Sequence, residues 1–553
     1  MAYAQKEVTL ETAGTLKEKI ADSEKYEITS LKINGPINGT DVILLRDMAG
    51  IDLDNNTTNG KLETLDLKNA EVKSGGDIYY TDYNNIIDYG TADAEISDMM
   101  FFRCATLRSI VLPDNTTAIG AGAFSKCSAL SEITMPDGIK EIRKEAFAGS
   151  AITLFTFPKG TQIAEGVFKN CQHLVEVTLP DNCTEIPTEA FSGAGITAIT
   201  LPEGLQKIGN DAFSSSSLTS VTMPASMREI GEMAFMMCSA LATINLNEGL
   251  ETIGTSAFSY CESLKSIDIP NTVTTIGSST FSNCSNLSSV HLSEAITEIS
   301  GSLFDRCTNL TQVNIPESVT KIGSFAFQNN NFLEKVVFPE ELKEIGKNAF
   351  SNAGLTEIIL PAGLTQMDKS AFYSCAFATK IVLPHAITTI ADNTFNYCEA
   401  VEEIVINEGV TTVGRMAFST CTALKRVTLP ASLTELGKLA FSSNDNLEEI
   451  HCNSAEPAKC YTSTFQTEME EVPSKCVLFV PQGSKTAYEN AEVWCRFTTI
   501  NETNPTSINL TESAKQRNEI MRFDLSGKRI AGKQSGVNIV VFDDGSTQKV
   551  IVD

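Results

Sequence analysis

Short stretches in which apolar and polar residues alternate recur along most of this chain. In residues 264–269, for example, Leu264, Ile267 and Ile269 are apolar and the residues between them are polar. This alternation predicts a strand with one buried face. A second short apolar pair follows, then usually a glycine and the pair Ala-Phe, which predicts a helical turn that returns the chain to the next strand.

Proline and glycine at fixed positions support this division into units. Proline ends the strand in most units, because a residue without an N–H leaves a gap in the hydrogen-bond ladder. Glycine follows the second apolar pair, where we expect a turn with positive φ. The prolines are Pro113, Pro136, Pro158, Pro180, Pro202, Pro224, Pro270, Pro316, Pro339, Pro361, Pro384 and Pro430, and the glycines are Gly120, Gly209, Gly231, Gly254, Gly277, Gly323, Gly346, Gly414 and Gly437.

One phenylalanine per unit supplies the bulk of the predicted core. Sixteen of them follow one another at steps of 21 to 23 residues, and most steps are 23. One compact core needs no such regularity, whereas a stack of similar units does. A unit buries too little apolar surface to fold alone, so its neighbours must supply the missing contacts. The phenylalanines are Phe101, Phe124, Phe147, Phe168, Phe191, Phe213, Phe235, Phe258, Phe281, Phe304, Phe327, Phe350, Phe372, Phe395, Phe418 and Phe441.

Cysteine stands three residues after the phenylalanine in ten of these sixteen units. Equivalent side chains of stacked units point the same way, whereas a disulfide needs converging Cβ vectors, so we expect buried thiols that act as small apolar side chains. Cys452, Cys460, Cys476 and Cys495 lie outside the repeats and could pair in an oxidising compartment, in a pattern that the sequence leaves open. The ten are Cys104, Cys127, Cys171, Cys238, Cys261, Cys284, Cys307, Cys375, Cys398 and Cys421, and the same slot otherwise holds Ser150, Ala194, Ser216, Asn330, Ala353 or Asn444.

The pattern LxxIxLPxxVxxIGxxAFxxC resembles the BspA-like leucine-rich repeats of bacterial and protozoan surface proteins, over roughly residues 99–452. Residues 477–497 are similar to segments that often close such arrays, and residues 523–550 are similar to C-terminal modules of exported Bacteroidetes proteins. The resemblance implies a repeat solenoid of short parallel β-strands and helical turns in units of about 23 residues. It also implies an adhesin-like protein, extracellular or on a bacterial cell surface, whose relatives bind host matrix proteins such as fibronectin or fibrinogen.

The remaining sequence predicts flanking segments around the solenoid. We expect an α+β N-terminal cap in residues 1–60, the solenoid in 61–452, a C-terminal cap in 453–500, and a linker with a small β module in 501–553. The cap should hold a helix in 11–21, a strand in 28–33 and a helix in 41–49 with Asp41 at its N-cap. Stacking should begin at residues 62–67, before an insertion rich in Gly, Asp and Tyr. The linker should span residues 501–507, and Asp544-Gly545 should form a hairpin turn.

The charge and the chain ends bear on partners and location. A net charge of −27, from 69 acidic and 42 basic residues, argues against nucleic acid and anionic lipid as partners. No apolar run is long enough for a transmembrane segment. Ala2-Tyr3-Ala4 followed by Gln5 has the form that ends a secretory signal. We therefore expect an exported chain that lacks most of its signal and carries an added Met1, although chance is the alternative.

Candidate chemistry is sparse in this sequence. The four histidines, His173, His291, His385 and His451, have no partners at metal-ligand spacing. The triplet Asp52, Asp54 and Asn56 resembles the start of a calcium loop but lacks its glycine and distal glutamate, so we interpret it as a solvated loop. We expect no enzymatic activity, cofactor or metal.

The outward strand residues are the best candidates for a binding surface. One such position per unit is polar or Thr in the first half of the array and then becomes apolar at Val337, Ile359, Val382 and Val405. Adjacent exposed apolar side chains are typical of interfaces, although strand propensity alone also favours Val and Ile. Glu334, Glu357, Glu402 and Glu403 should form an acidic rim.

Three functions remain open at this stage. The leading hypothesis is a non-enzymatic protein that binds an extracellular protein or glycoprotein through the repeats. The alternative is a structural, self-associating envelope protein. The third, an enzyme with its site in a cap or in the C-terminal module, has the least support from the residues.

Overall fold

The computed structural model describes residues 5–82, 85–503, 519–523, 536–542 and 547–552. The chain divides into two units, Met1–Ile296 with Ser302–Leu310, and Thr297–Gly301 with Thr311–Asp553. Residues 2–4, 504–507 and 543–545, for which we predict a signal remnant, part of a linker and a turn, lie outside the described residues.

Unit 1 consists of an N-terminal cap and stacked repeats. Most repeats contribute a three-residue strand and a two-residue strand. The helices are α1 (Leu16–Lys19) and α2 (Gly39–Met48). The strands are β1 (Lys6–Thr9), β2 (Ser30–Ile37), β3 (Thr64–Asp66), β4 (Ala70–Val72), β5 (Gly75–Asp82), β6 (Ile87–Thr91), β7 (Glu95–Ile96), β8 (Ser109–Val111), β9 (Ala118–Ile119), β10 (Glu132–Thr134), β11 (Glu141–Ile142), β12 (Leu154–Thr156), β13 (Glu176–Thr178), β14 (Glu185–Ile186), β15 (Lys207–Ile208), β16 (Ser220–Thr222), β17 (Glu229–Ile230), β18 (Thr243–Asn245), β19 (Thr252–Ile253), β20 (Ser266–Asp268), β21 (Thr275–Ile276) and β22 (Ser289–His291).

Unit 2 continues the repeats and ends in a C-terminal cap and a separate sheet. Its helices are α3 (Lys485–Glu489) and a 3₁₀ helix (Trp494–Arg496). Its strands are β23 (Glu298–Ile299), β24 (Gln312–Asn314), β25 (Lys321–Ile322), β26 (Lys335–Val337), β27 (Glu344–Ile345), β28 (Glu357–Ile359), β29 (Gln366–Met367), β30 (Lys380–Val382), β31 (Thr389–Ile390), β32 (Glu403–Val405), β33 (Thr412–Val413), β34 (Arg426–Leu429), β35 (Glu435–Leu436), β36 (Glu449–Cys452), β37 (Val477–Pro481), β38 (Thr499–Thr503), β39 (Glu519–Phe523), β40 (Gly536–Phe542) and β41 (Thr547–Val552).

The strands of successive repeats pair in parallel and in register. Ile110 pairs with Ile133, and Ile253 pairs with Ile276. The sheets include β1-β2-β3-β8-β10 and β14-β15-β17-β19-β21 in unit 1, and β23-β25-β27-β29 and β32-β34-β36-β37-β38 in unit 2. Equivalent apolar residues therefore lie above one another, which confirms the predicted repeat solenoid with parallel strands.

The repeated phenylalanines form a buried aromatic stack within each unit. In unit 1 the rings from Phe101 to Phe304 lie 5.2–5.9 Å apart and nearly parallel. In unit 2 the rings from Phe327 to Phe441 lie 5.1–5.5 Å apart. Phe465, which the spacing did not reveal, stacks on Phe441 at 5.8 Å. These rings supply the core on which the repeats are assembled.

The segment around each phenylalanine is a run of turns with its own hydrogen-bond ladder. The N–H of Phe124 donates to Ala146 in the next repeat (2.8 Å), and the N–H of Lys126 donates to Ala148 (2.7 Å). The intervening N–H groups close i→i+3 turns, as from Ser125 to Gly122 (3.0 Å). The residues two places before and after the phenylalanine have positive φ, 60° at Gly122 and 59° at Lys126. Alternate N–H groups can therefore point at the neighbouring repeat.

The prediction that the nine glycines after the second apolar pair need positive φ is wrong. None of the nine has positive φ. A Cβ at Gly254 would instead lie 2.5 Å from the backbone carbon of Gly231, and one at Gly277 would lie 2.3 Å from the nitrogen of Thr255. Glycine is required here because the backbones of adjacent repeats approach too closely for a side chain.

The ten cysteines after the phenylalanines are all buried, as predicted. Nine of them also donate a hydrogen bond through Sγ, which their apolar environment did not suggest. The Sγ of Cys127 lies 3.0 Å from the Phe101 carbonyl of the preceding repeat, and eight further repeats have the same contact. Asn444 makes the equivalent bond through Nδ2 to the Phe418 carbonyl (2.9 Å). The slot thus favours a small side chain that can satisfy a buried carbonyl.

The N-terminal cap agrees only partly with its predicted elements. The first helix is shorter than residues 11–21, and the strand β1, which pairs with β2, was not predicted. Asn38, and not Asp41, is the N-cap of α2; Asp41 occupies the third helical position and completes a capping box. The strand predicted in residues 62–67 is present as β3, which pairs with β8. The insertion that follows forms the antiparallel hairpin β5-β6.

The cap also closes the exposed end of the turn ladder. The carbonyls of Asp98, Met100 and Phe102 have no preceding repeat to supply N–H groups. Tyr79 donates its hydroxyl to Asp98 (2.6 Å), and Arg46 donates Nη1 to Met100 (3.5 Å) and Phe102 (3.2 Å). Buried side chains therefore replace the missing neighbour.

The C-terminal cap continues the parallel sheet through β37 and β38. The indole of Trp494 packs against Phe465 with ring centroids 5.5 Å apart, and it donates Nε1–H to the Ala458 carbonyl (2.7 Å). The first three residues of the predicted linker, Asn501–Thr503, belong to β38. Beyond them, β39, β40 and β41 form a three-stranded antiparallel sheet. Among the described residues, no helix has the length and apolar character needed to cross a bilayer.

Candidate binding surface

The strand positions predicted to face outward do so in both units. None of these side chains is buried, and most are exposed. The row consists of Val111, Thr134, Thr156, Thr178, Thr200, Thr222, Asn245, Asp268 and His291 in unit 1, and of Asn314, Val337, Ile359, Val382, Val405, Thr428 and His451 in unit 2.

An apolar stripe, defined as Val337, Ile359, Val382 and Val405, lies in this row on unit 2. Val337 is 47% exposed and Val405 is 42% exposed, while the other two are half-buried. Ile359 pairs directly with Val382 across strands β28 and β30. Ile359 and Val382 thus lie side by side, and Val337 and Val405 hold the equivalent position in the repeats before and after them.

Aromatic side chains continue the row beyond the stripe. Val405 is followed across the sheet by Thr428, His451 and Phe479. The rings of His451 and Phe479 stack with centroids 4.5 Å apart, and His451 Nε2 lies 3.0 Å from a carboxylate oxygen of Glu449. Phe479 was missed as a surface residue because the sequence places it in the cap, outside the repeat pattern.

The charges beside the stripe alternate in sign and include cations in addition to the predicted acidic residues. Glu334, Glu357, Glu402 and Glu403 are exposed as expected. Cations missed by the sequence reasoning lie two residues before the stripe position. The resulting row is Lys335, Glu357, Lys380, Glu403, Arg426 and Glu449.

Some of these cations are paired with the rim carboxylates. Arg426 lies 3.5 Å from Glu403, and this hydrogen bond raises the pKa of Arg426. Lys425 lies 3.1 Å from Glu402. Exposed pairs of this kind contribute little to stability, and their effect is to make the edge of the stripe nearly neutral.

Sites for catalysis or metal binding are not evident in the described part of the chain. No group of three or more His, Cys, Asp and Glu side chains there has an arrangement suited to a metal ion. The loop at Asp52 is closed by its own hydrogen bonds, from the Asn56 N–H to Asp52 Oδ1 (2.7 Å) and from Asn56 Nδ2 to Oδ2 (3.2 Å). His291 contacts Asp268 on the exposed strand face (2.8 Å).

The cysteines have the chemistry of structural thiols. All fifteen are free, including Cys452, Cys460, Cys476 and Cys495, and of these only Cys495 is exposed. Burial raises the pKa of Cys421 to about 12 and that of Cys452 to about 12. A thiol that stays protonated is a poor nucleophile and a poor metal ligand.

Most of the chain matches one family of repeat sequences. The family described as "BspA type Leucine rich repeat region" matches six overlapping copies, over residues 94–217, 161–284, 206–334, 252–378, 321–448 and 365–471. Together these copies span residues 94–471, more than half of the chain. No curated protein matches significantly.

Three solved structures illustrate the structural likeness. A leucine-rich repeat protein from Bacteroides ovatus is 23% identical with a TM-score of 0.49, covering 71% of this chain and 90% of that chain. One from Eubacterium ventriosum is 20% identical with a TM-score of 0.37, covering 64% and 91%. A leucine rich cell surface protein from Faecalibacterium prausnitzii is 22% identical with a TM-score of 0.33, covering 73% and 92%.

Proposed function

The chain belongs to the BspA-type leucine-rich repeat family, and we propose that it is a non-enzymatic cell-surface or secreted protein that binds an extracellular protein or glycoprotein through its repeats. The observation that supports this proposal best is the apolar stripe, Val337, Ile359, Val382 and Val405. Stacked repeats present long regular surfaces on which neighbouring side chains act together.

The stripe has the composition of an interface core. Exposed β-branched side chains at successive strands give up little conformational freedom on binding, because their χ1 angles are already restricted. The alternating charges beside them supply a polar rim of both signs, as in many protein–protein interfaces. If the stripe has no binding role, the preference of Val and Ile for strands is enough to explain it. The two interpretations therefore differ in whether a ligand covers these side chains.

A double substitution tests the proposal. Val382→Lys with Val405→Lys places two ammonium groups in the stripe, and side chains at these outward positions contribute little to the core. We expect capture of fibronectin, fibrinogen, laminin or collagen, measured by biolayer interferometry, to weaken at least about tenfold for whichever protein the native chain binds. Circular dichroism should show an unchanged fold.

The matched control is Thr156→Lys with Thr178→Lys, which adds the same charge at paired outward positions of unit 1. This variant should bind as the native chain does. Equal binding by both double variants and the native chain contradicts the assignment of the stripe. A native chain that captures none of these proteins contradicts the adhesin-like function itself.

Self-association is the second candidate, and the alternating charge row favours it specifically. A row of alternating sign is complementary to a second copy of itself when the two rows are displaced by one strand. Sedimentation velocity over a hundredfold range of concentration distinguishes the candidates. If the protein self-associates, the sedimentation coefficient of the native chain should rise with concentration. A stripe variant that keeps the monomer value at every concentration would support a structural role.

A further inference from the structure

Two turns of unit 2 carry strongly exposed phenylalanine side chains. Phe332 and Phe377 are 60% and 64% exposed. Each stands five residues after the stacked phenylalanine of its repeat, at a position that holds Asn286 and Asn309 in unit 1. The amides of those two asparagines lie 3.3 Å apart, so side chains at this position project along one edge of the stack.

A shortened repeat separates the two exposed rings. In the intervening repeat the buried Leu355 stands five residues after Phe350 and not six, and Gly354 precedes it. A Cβ at Gly354 would lie 2.2 Å from the Asn331 carbonyl oxygen, so no side chain can fill this place. The gap between Phe332 and Phe377 is therefore built into the backbone.

The spacing of the rings follows from the repeat. The stacked phenylalanines of these three repeats are 5.1 and 5.2 Å apart. Two repeats therefore advance by roughly 10 Å, in agreement with strand spacing. Two aromatic platforms at this distance are too far apart to contact each other, and they leave room for a ligand to lie across both.

Neutral polar side chains occupy the same turns as the platforms. Asn352 donates Nδ2–H to Oδ1 of Asn329 (2.9 Å), and Asn331 is exposed beside Phe332. Tyr373 and Tyr397 contact each other with centroids 5.6 Å apart. Amide and phenol groups both donate and accept hydrogen bonds, as the hydroxyl groups of a sugar do.

Charge is missing from the three turns that carry or separate the platforms. Residues 327–333, 350–356 and 372–379 contain no Asp, Glu, Lys, Arg or His, in a chain with 20% charged residues and a net charge of −27. The next repeat differs, because it has the exposed Glu399 at the position equivalent to Asn331. A charged partner would find no complementary group here. A neutral ligand with apolar faces and many hydroxyl groups matches the aromatic rings and the amides together.

We propose that Phe332 and Phe377 form two stacking platforms of a site for a neutral linear oligosaccharide. The C–H faces of two sugar rings lie on the aromatic rings, and hydroxyl groups of the sugars between them pair with the amides of Asn331 and Asn352. The site is separate from the apolar stripe, so its failure and the failure of the protein-binding function are distinguishable.

The test uses the full chain and defined glycans. Cellohexaose, mannohexaose and maltohexaose are titrated by isothermal calorimetry, with hexagalacturonate as an anionic comparison. We expect at least one neutral hexasaccharide to bind, and Phe332→Ala with Phe377→Ala to weaken it about tenfold or more because both stacking contacts are lost. Hexagalacturonate should bind more weakly than the neutral chains.

The control variant is Met237→Ala with Tyr260→Ala. It removes two side chains from the turns of unit 1 that are 52% and 46% exposed. It should bind the glycan as the native chain does, as should the stripe variant. Absence of binding to every neutral hexasaccharide overturns the proposal, and so does binding that survives the loss of both rings. If only protein capture depends on the rings, the edge binds protein and the proposal is wrong.

Discussion

The Nη1 atom of Arg46 lies 3.2 Å from the carbonyl oxygen of Phe102. In later repeats of the same unit this carbonyl position receives an N–H from the preceding repeat, as Ser125 does from Arg103 (2.9 Å). Arg46 is 1% exposed and comes from helix α2 of the cap. The turn carbonyls of the first repeat therefore accept hydrogen bonds from a side chain and not from another repeat. The terminal repeat of a solenoid needs such a cap, because it has a neighbour on one side only.

Removing this guanidinium should destabilise the N-terminal end of unit 1. In Arg46→Met the carbonyls of Met100 and Phe102 lose their buried donor, at about 1–3 kcal/mol for each unsatisfied group. We expect lower protection from hydrogen exchange in the turns at residues 99–127, measured by mass spectrometry. The exposed Arg103→Met serves as the control. Equal protection in both variants would show that the bonds from Arg46 are dispensable.

The close approach of backbones predicts which glycines tolerate a side chain. Gly254→Ala puts a Cβ 2.5 Å from a backbone carbon of Gly231, so adjacent repeats must move apart. We expect a loss of about 1–3 kcal/mol in the free energy of unfolding, as for other overpacked sites. Urea denaturation measures it.

Gly138→Ala is the matched control for that substitution. Its φ is not positive, and its nearest contact would be ordinary, 3.5 Å from the Thr116 carbonyl oxygen. We expect Gly138→Ala to be neutral or slightly stabilising, because alanine restricts the unfolded chain. A Gly254→Ala variant as stable as Gly138→Ala would refute the explanation by close approach.

Periodicity made the repeats predictable, because each position of a 23-residue unit meets the same environment many times. The strands, the stacked rings of Phe101 to Phe441 and the burial of the cysteines follow directly. The pattern of a single unit does not show how adjacent repeats are offset from each other. The reason for Gly254, the Sγ donor of Cys127 and the cations beside the stripe all depend on which atoms of the next repeat lie opposite.

The ends were less predictable for a related reason. Arg46, Tyr79 and Phe465 act on one terminal repeat only, so no recurrence marks them. Arg46 stands within a short helix that carries few other signals, and Phe465 comes 24 residues after Phe441, outside the usual steps. The exposed Phe332 and Phe377 are visible in the sequence only once the length of the intervening repeat is considered.

Thiol labelling should separate one cysteine from the others. Cys495 is exposed and the other fourteen are buried. With Ellman's reagent at pH 8, the native chain should release about one equivalent rapidly and the remainder only on addition of denaturant, since access governs the reaction. Cys495→Ala should abolish the fast phase. Several fast equivalents in the native chain would contradict the buried environment of the repeat cysteines.

The buried thiols also predict how stability depends on pH. Burial raises the pKa of Cys238 from 9.0 to about 11, so the unfolded state releases this proton first as the pH rises. The thiol's contribution is complete below about pH 9, and it decreases through the interval up to about pH 11 by about 1.4 kcal/mol per pH unit. Tyr79 and Tyr488, whose pKa values burial also raises, add to this slope at higher pH.

A comparison of slopes isolates the thiol. The free energy of unfolding is measured by urea denaturation at intervals from pH 8 to pH 10.5 for the native chain, Cys238→Ala and Cys495→Ala. Cys238→Ala should start from a lower stability, because the bond from its Sγ to the Phe213 carbonyl (3.0 Å) is lost, but its stability should fall less steeply above pH 9. Cys495→Ala should keep the native slope, because Cys495 is exposed and its removal leaves every buried thiol in place. Parallel curves for all three chains would mean that Cys238 ionises in the folded protein as readily as in the unfolded one, and the ladder of thiol donors would then not be shielded from solvent.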